Sequence, residues 1–161
     1  MKHELTFRRA VRADLDAVQQ LFVNTIRNVC TKDYSPDQIR AWTASVEDKE
    51  RWTRILEAQY FILALSGDRI VGYASLKDTD YLDFLYVHHE YQRQGVASAV
   101  YSQVEEEALR RGALVFSSDV SYTARPFFES RGFSVEKENR RMIRGVEIRN
   151  YRMRKTLAGK R

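Results

Sequence analysis

One stretch, residues 81–111, constrains the fold more than any other: YLDFLYVHHEYQRQGVASAVYSQVEEEALRR. Tyr81 to Val87 is an apolar run of strand length. It stops at a polar turn, passes through Gln92-Arg93-Gln94-Gly95-Val96-Ala97, and enters a helical pattern at once. Val96, Val100, Val104 and Ala108 fall on one face of that helix. Glu106 with Arg110 and Glu107 with Arg111 are spaced as (i, i+4) pairs on the other, and Gly112 suits the C-terminal cap. A strand that leads through a glycine-bearing loop into a helix N-terminus is an anion site. Several backbone N–H groups point the same way, and the helix dipole adds partial positive charge. The ligand such a loop suits is a phosphate or pyrophosphate.

The other periodicities arrange themselves around this unit. Leu5 and Phe7 alternate with polar neighbours and predict a first strand. Asp14 opens a helix with Leu15, Val18, Phe22, Ile26 and Val29 on one face, ended by Cys30 as a small buried side chain. Ser35 caps a short helix with Pro36 at its first position, which includes Ile39 and Trp42. A further helical piece lies around Trp52, Ile55 and Leu56. Residues 60–65 and 70–76 are strands joined by the Ser66-Gly67-Asp68-Arg69 turn. Residues 114–118 form a strand, 124–130 a short helix, 133–135 the start of a strand and 146–153 the last one. The order β-α-α-β-β-β-α-β-α-β-β predicts an α+β fold, a mixed sheet with helices on both faces. At 161 residues, 43% of them hydrophobic, the chain can build one domain, residues 1–161, with a real core.

Several classes of protein are disfavoured. The longest apolar run, 60–65, is far short of the ~20 residues that span a bilayer, so no membrane role is expected. MKHELTFRR has no apolar segment of the kind a signal peptide needs. A single cysteine, Cys30, rules out an internal disulfide and a cysteine-based zinc site, and a reducing cytoplasm is the expected location. His88 and His89 adjoin at a strand end, where neighbours point to opposite faces, so no metal site is expected. The net charge is +5. Arg140, Arg141, Arg144, Arg149, Arg152, Arg154, Lys155, Lys160 and Arg161 lie late in the chain with only Glu147 among them. They suit an anionic partner, but no aromatic platform is interleaved with them, so a solvated face is expected rather than a nucleic-acid site.

Three features resemble the GNAT family of N-acyltransferases. Gln92-x-x-Gly95-x-Ala97 is similar to that family's Q/R-x-x-G-x-G/A acyl-CoA signature. It follows a strand ending Leu85-Tyr86-Val87 and precedes a long helix. The later A-x-x-x-[YF]-x-x-x-G-F element is present from Ala124 through Phe128 to Gly132-Phe133. Asp33-Tyr34, the Ala-Arg-Pro-Phe-Phe run and the Arg-Gly-Val-Glu ending resemble the family's YafP-like bacterial branch. The resemblance covers nearly the whole chain. It implies a largely antiparallel central sheet, acetyl-CoA as acyl donor, no metal, and direct transfer to a small-molecule or peptide amine.

The resemblance also implies roles. Gln92, Arg93, Gln94, Gly95, Val96, Ala97 and Ser98 would hold the pyrophosphate, with Gly95 keeping a Cβ out of its way. Leu85, Tyr86 and Val87 would meet the pantetheine arm on a strand that splays from its neighbour, and one N–H there would polarise the thioester carbonyl. Ser121 stands where an asparagine is common and, with Phe128, would contact the cofactor. Phe128 replaces the tyrosine proposed to protonate the leaving thiolate, and nearby Tyr122 is the candidate substitute. Asp33, Tyr34 and Trp42 would line the acceptor side, where acid plus aromatics suit a cationic amine. The residues themselves single out Asp83. It is the only carboxylate within the apolar run, and a buried carboxylate can take the proton an ammonium must lose before attack. The alternatives to an enzyme are an acyl-CoA-binding regulatory protein with little turnover and a basic domain associated with nucleic acid. A sheet edge or the basic last strand could pair two copies into a homodimer.

Overall fold

The computed structural model describes residues 4–157; residues 1–3 of the N-terminal stretch and Lys160 and Arg161 of the basic stretch lie outside them. Along the chain the elements are β1 (Thr6–Arg9), α1 (Leu15–Val29), α2 (Pro36–Thr43), α3 (Lys49–Ala58), β2 (Tyr60–Ser66), β3 (Arg69–Lys77), β4 (Tyr81–Val87), α4 (Val96–Arg110), β5 (Val115–Val120), α5 (Arg125–Ser130), β6 (Ser134–Ile143) and β7 (Val146–Thr156). The strands form one sheet in the order β1-β2-β3-β4-β5-β7-β6. Every pairing is antiparallel except β4 with β5. This is the mixed, largely antiparallel α+β sheet expected, with helices on both faces.

Local chemistry sets the helix ends. The Ser35 hydroxyl accepts the Gln38 N–H (3.1 Å) while the Gln38 side chain accepts the Ser35 N–H (2.8 Å), a reciprocal cap with Pro36 following it. The piece expected around Trp52 is a full helix of ten residues, started by Asp48, whose carboxylate accepts the Arg51 N–H. Asp14 lies in a one-turn 3-10 helix ahead of α1, where it accepts from the Val11 N–H and from Arg8.

Two cores sandwich the sheet. On one face α4 and α5 cover Val71, Ala74, Leu76, Leu82 and Phe116. On the other α1, α2 and α3 cover Phe61, Leu63, Tyr73 and Phe84, with Trp52 fully buried. The expected α4 stripe of Val96, Val100, Val104 and Ala108 is buried as a whole. Of the two expected ion pairs, Glu107 with Arg111 forms (2.8 Å), whereas Arg110 turns to Glu107 as well instead of Glu106.

The late basic residues meet carboxylates from elsewhere in the fold. Arg144 pairs with Glu47, Arg152 with Asp119, Arg154 with Glu136 and Lys155 with Glu105. The stretch is mostly a paired face rather than an open basic surface.

Candidate active site

The site begins where β4 and β5 part. Only Tyr81↔Ser117 and Leu82↔Ser118 are paired. The Ser118 hydroxyl donates to the Leu82 carbonyl (2.8 Å) at the vertex. On the other side of β4, the His88 N–H donates to the Val71 carbonyl (2.8 Å). In an antiparallel ladder bonded and non-bonded pairs alternate. Tyr73/Tyr86 is then a bonded pair, whereas Gly72/Val87 and Ala74/Leu85 are not. The backbone groups of Leu85 and Val87 accordingly point away from β3, into the gap left by β5. The Val87 carbonyl already accepts from Thr25 Oγ1 (2.9 Å) and Gln92 Nε2 (2.8 Å). The N–H and carbonyl of Leu85 and the N–H of Val87 remain directed at the gap.

The loop that follows is shaped by two residues with positive φ, Arg93 at 61° and Gly95 at 85°. Gly95 precedes the first turn of α4, which has no acidic residue and no side-chain cap, so its N–H groups are free to meet an anion. A Cβ on Gly95 would meet nothing within 4 Å. Among the protein's own atoms, glycine is therefore demanded by the backbone angle and not by crowding. Gln92 turns its amide back onto the Val87 carbonyl and holds the loop's base. The Ser98 hydroxyl accepts from the Arg131 guanidinium, which brings a cation to the first turn of α4. Arg93, Gln94 and Gly95 are exposed. Donors, angle and cation all fit a phosphate group.

At the splay lies a cleft of about 800 Å³. It gathers Asp83, Leu85 and Tyr86 of β4, Tyr34, Trp42, Ser121 and Phe128. Asp83 is half-buried, and its Oδ2 accepts from Gln59 Nε2 at 2.7 Å. Tyr86 is half-buried, packed against Phe22, Tyr73 and Phe84, and desolvation there pushes its hydroxyl well above the ordinary tyrosine range. Tyr34 contributes a ring only: its hydroxyl donates to the Arg149 carbonyl (2.8 Å) and accepts the Tyr122 N–H (3.0 Å). Ser121 caps the turn before α5 by accepting the Ala124 N–H (3.0 Å). Phe128 packs edge-on against Phe133 and brings no hydroxyl.

Other expected site residues stand elsewhere. Tyr122 does not line the cleft. Its hydroxyl binds the Glu138 carboxylate on β6, and burial together with that carboxylate pushes it up to about 12. Asp33 is exposed and accepts from Thr123 Oγ1 (2.8 Å), tying the α1–α2 turn to the loop before α5. Val87 and residues 92–98 flank the splay without lining the cleft. His88 and His89 do not point apart: their rings stack at 4.7 Å, because the chain has left extended backbone and entered a 3-10 turn there.

Sequence reasoning missed several groups. Arg141 and Arg144, near the β6–β7 turn, and Arg51 of α3 line the cleft mouth, where Arg144 pairs with Glu47 (2.7 Å). Tyr81 and Asp119 stand beside the vertex. Burial would raise the Asp119 carboxyl, but bonds from Arg152 and Tyr81 hold it below the usual range. Gln59, adjoining α3, has no motif around it.

Residues 30–157 match the acetyltransferase (GNAT) domain family. YafP, an uncharacterized N-acetyltransferase of Escherichia coli, is 33% identical over 141 residues, spanning 88% of this chain and 89% of YafP. A GCN5-related N-acetyltransferase from Rhodopseudomonas palustris superposes with a TM-score of 0.94 at 32% identity, covering 98% of this chain and 99% of that one. PaiA N-acetyltransferase from Thermoplasma acidophilum, in complex with coenzyme A, shares the fold at a TM-score of 0.77 and 18% identity, over 95% and 99% of the two chains.

Proposed function

Since this chain belongs to the GNAT acetyltransferase family, we propose that it moves the acetyl group of acetyl-CoA to an amine acceptor by direct attack in a ternary complex. The observation that carries this reading is the splay of β4 from β5, with an anion-ready loop following β4 and a carboxylate-bearing cleft at the gap. The pyrophosphate would sit on the N–H groups of residues 93–98. The pantetheine arm would take the place of the missing strand, meeting the N–H and carbonyl of Leu85 and the N–H of Val87. The donor supplies a thioester, whose carbonyl becomes more electrophilic when an N–H polarises it.

Asp83 is the base in this reading. An amine arrives mostly as ammonium, with a pKa of ~10 if lysine-like. Asp83 Oδ1, which makes no hydrogen bond to a described residue, can take the proton directly or through a water. The neutral nitrogen then attacks the carbonyl carbon, the C–S bond breaks, and the second proton the nitrogen must shed to become an amide passes to water. No tyrosine hydroxyl is presented from position 128, and that of Tyr122 is engaged by Glu138. CoA therefore leaves as thiolate, which a thiol pKa of about 8.5 allows. The cleft has room for a small-molecule or peptide amine.

Phe128 also favours a second reading, a protein that binds acyl-CoA with little turnover. Release of CoA thiol across a panel of polyamines, amino acids, peptides and aminoglycosides separates the two. Turnover on any of them supports the enzyme. Tight acetyl-CoA binding with no release on the whole panel would sink it.

A further inference from the structure

Asp83 stands where it does because β4 carries one residue more than its partner strand. The register runs Ser75↔Phe84 and then Leu76↔Leu82, so Asp83 is the extra residue of a bulge. Bulges bend a strand and re-aim a side chain. The fully buried Ser75 hydroxyl accepts the Phe84 N–H (3.2 Å) and stitches the bulge to β3.

The carboxylate itself has one hydrogen-bonding partner among the described residues, Gln59 Nε2 at 2.7 Å on Oδ2. Gln59 is only 8% exposed, and its backbone is tied on two sides. Its N–H donates to the Ile55 carbonyl of α3 (3.0 Å), and its carbonyl accepts from Arg9 of β1 (3.3 Å). A carboxylate can only accept, so the amide must present its NH2 group. That orientation leaves Gln59 Oε1 buried with no partner among the described residues. An unpaired buried amide oxygen is costly. It is tolerated here because a bond to a charged acceptor is stronger than one between neutral groups.

We propose that Gln59 is the positioning residue of Asp83: it aims the carboxylate into the cleft and leaves Oδ1 to receive the acceptor's proton. The inference rests on Asp83 acting as the base. The other ionisable groups about Asp83 are Tyr81 and Tyr86 on β4, Asp119 on β5, Asp48 and Arg51 at the head of α3, and Arg141 and Arg144 by the β6–β7 turn. Asp119 is held by Arg152 and Arg144 by Glu47. None of these is bonded to Asp83.

The test is a carbon-13 NMR titration of the side-chain carboxyls in the full chain labelled at aspartate, with Asp83→Asn identifying the signal. Gln59→Leu removes the donor, and the midpoint of the Asp83 signal is expected to rise by about one pH unit. Gln59→Glu places a second carboxylate beside the first, and a larger rise is expected. With the best amine of the panel, the acidic limb of kcat/KM moves up in step. An unmoved midpoint in both variants overturns the proposal. Should Gln59→Leu fail to fold by its thermal melt, Gln59→Met and Gln59→Glu carry the same expectation. Asp83→Asn keeping wild-type turnover would refute the base while leaving the midpoint shift intact, so the two ideas fail separately.

Discussion

Replacing Gly72 with alanine tests how the anion loop is seated on the sheet. Gly72 lies on β3 beneath the first turn of α4. A Cβ there would stand 2.7 Å from Val96 Cγ1, 3.2 Å from the Tyr86 carbonyl and 3.6 Å from Val87 Cα. Ordinary carbon contacts are about 3.5–4.0 Å, so Val96 must retreat by roughly 1 Å. It cannot swing outward: it is 1% exposed, and a β-branched side chain in a helix has one strongly preferred rotamer. The strain passes instead to the backbone of α4's first residue, which adjoins Gly95. We expect Gly72→Ala to cost about 1–3 kcal/mol, the usual range for overpacking. At 2 kcal/mol the melting temperature falls by about 4–8 °C for a domain of this size. Coenzyme A affinity, measured by calorimetry, should fall about tenfold if one phosphate hydrogen bond worth ~1.4 kcal/mol is lost with the displaced turn. Val96→Ala removes the clashing methyl and alone costs about 1.6 kcal/mol of burial. The double variant should be at least about 1 kcal/mol more stable than the sum of the single losses. Additive losses, or a Gly72→Ala protein with wild-type melting and coenzyme A affinity, would refute the packing argument.

Gly95→Ala should lose about 1–2 kcal/mol in urea unfolding through its 85° φ alone, since no atom stands within 4 Å of the added methyl. Tyr34→Phe strips the bond partner from the Arg149 carbonyl and the Tyr122 N–H and should cost about 1–3 kcal/mol in urea unfolding, with acetyl-CoA affinity unchanged. The bond from Arg8, opposed by burial and aided by the Val11 N–H, holds the Asp14 carboxyl below its ordinary value. A depressed folded-state value contributes stability that is full above about pH 4 and is lost as pH falls through the lowered value. Melting temperatures between pH 7 and pH 2 should therefore decline less steeply in Asp14→Asn than in the wild type.

What could be read before folding was what depends on one segment at a time. The apolar run of residues 81–87 and the helical stripe of α4 belong to single elements, so β4, the loop and α4 were legible, as was the Ser35 cap. What depends on two segments was not. The bulge at Asp83 exists only relative to β3, because a slip in register belongs to a pair of strands. The direction of Tyr122 is set by Glu138 on β6, and Asp33 is drawn aside by Thr123, neither of which is near in sequence. Gln59 gains its meaning from a carboxylate 24 residues away. The basic third looked unopposed because its carboxylates, Glu47, Glu105, Asp119 and Glu136, lie on other elements or just ahead of it.

The most direct test of the central claim compares wild type and Asp83→Asn for acetyl-CoA binding by calorimetry and for CoA thiol release with the best amine acceptor, across pH 6 to 10. We expect equal acetyl-CoA affinity, a kcat/KM reduced about 10²–10⁴-fold at neutral pH, and a deficit that narrows as the amine loses its own proton at high pH. Unchanged kcat/KM and pH profile in Asp83→Asn would contradict Asp83 as the group that prepares the amine for attack.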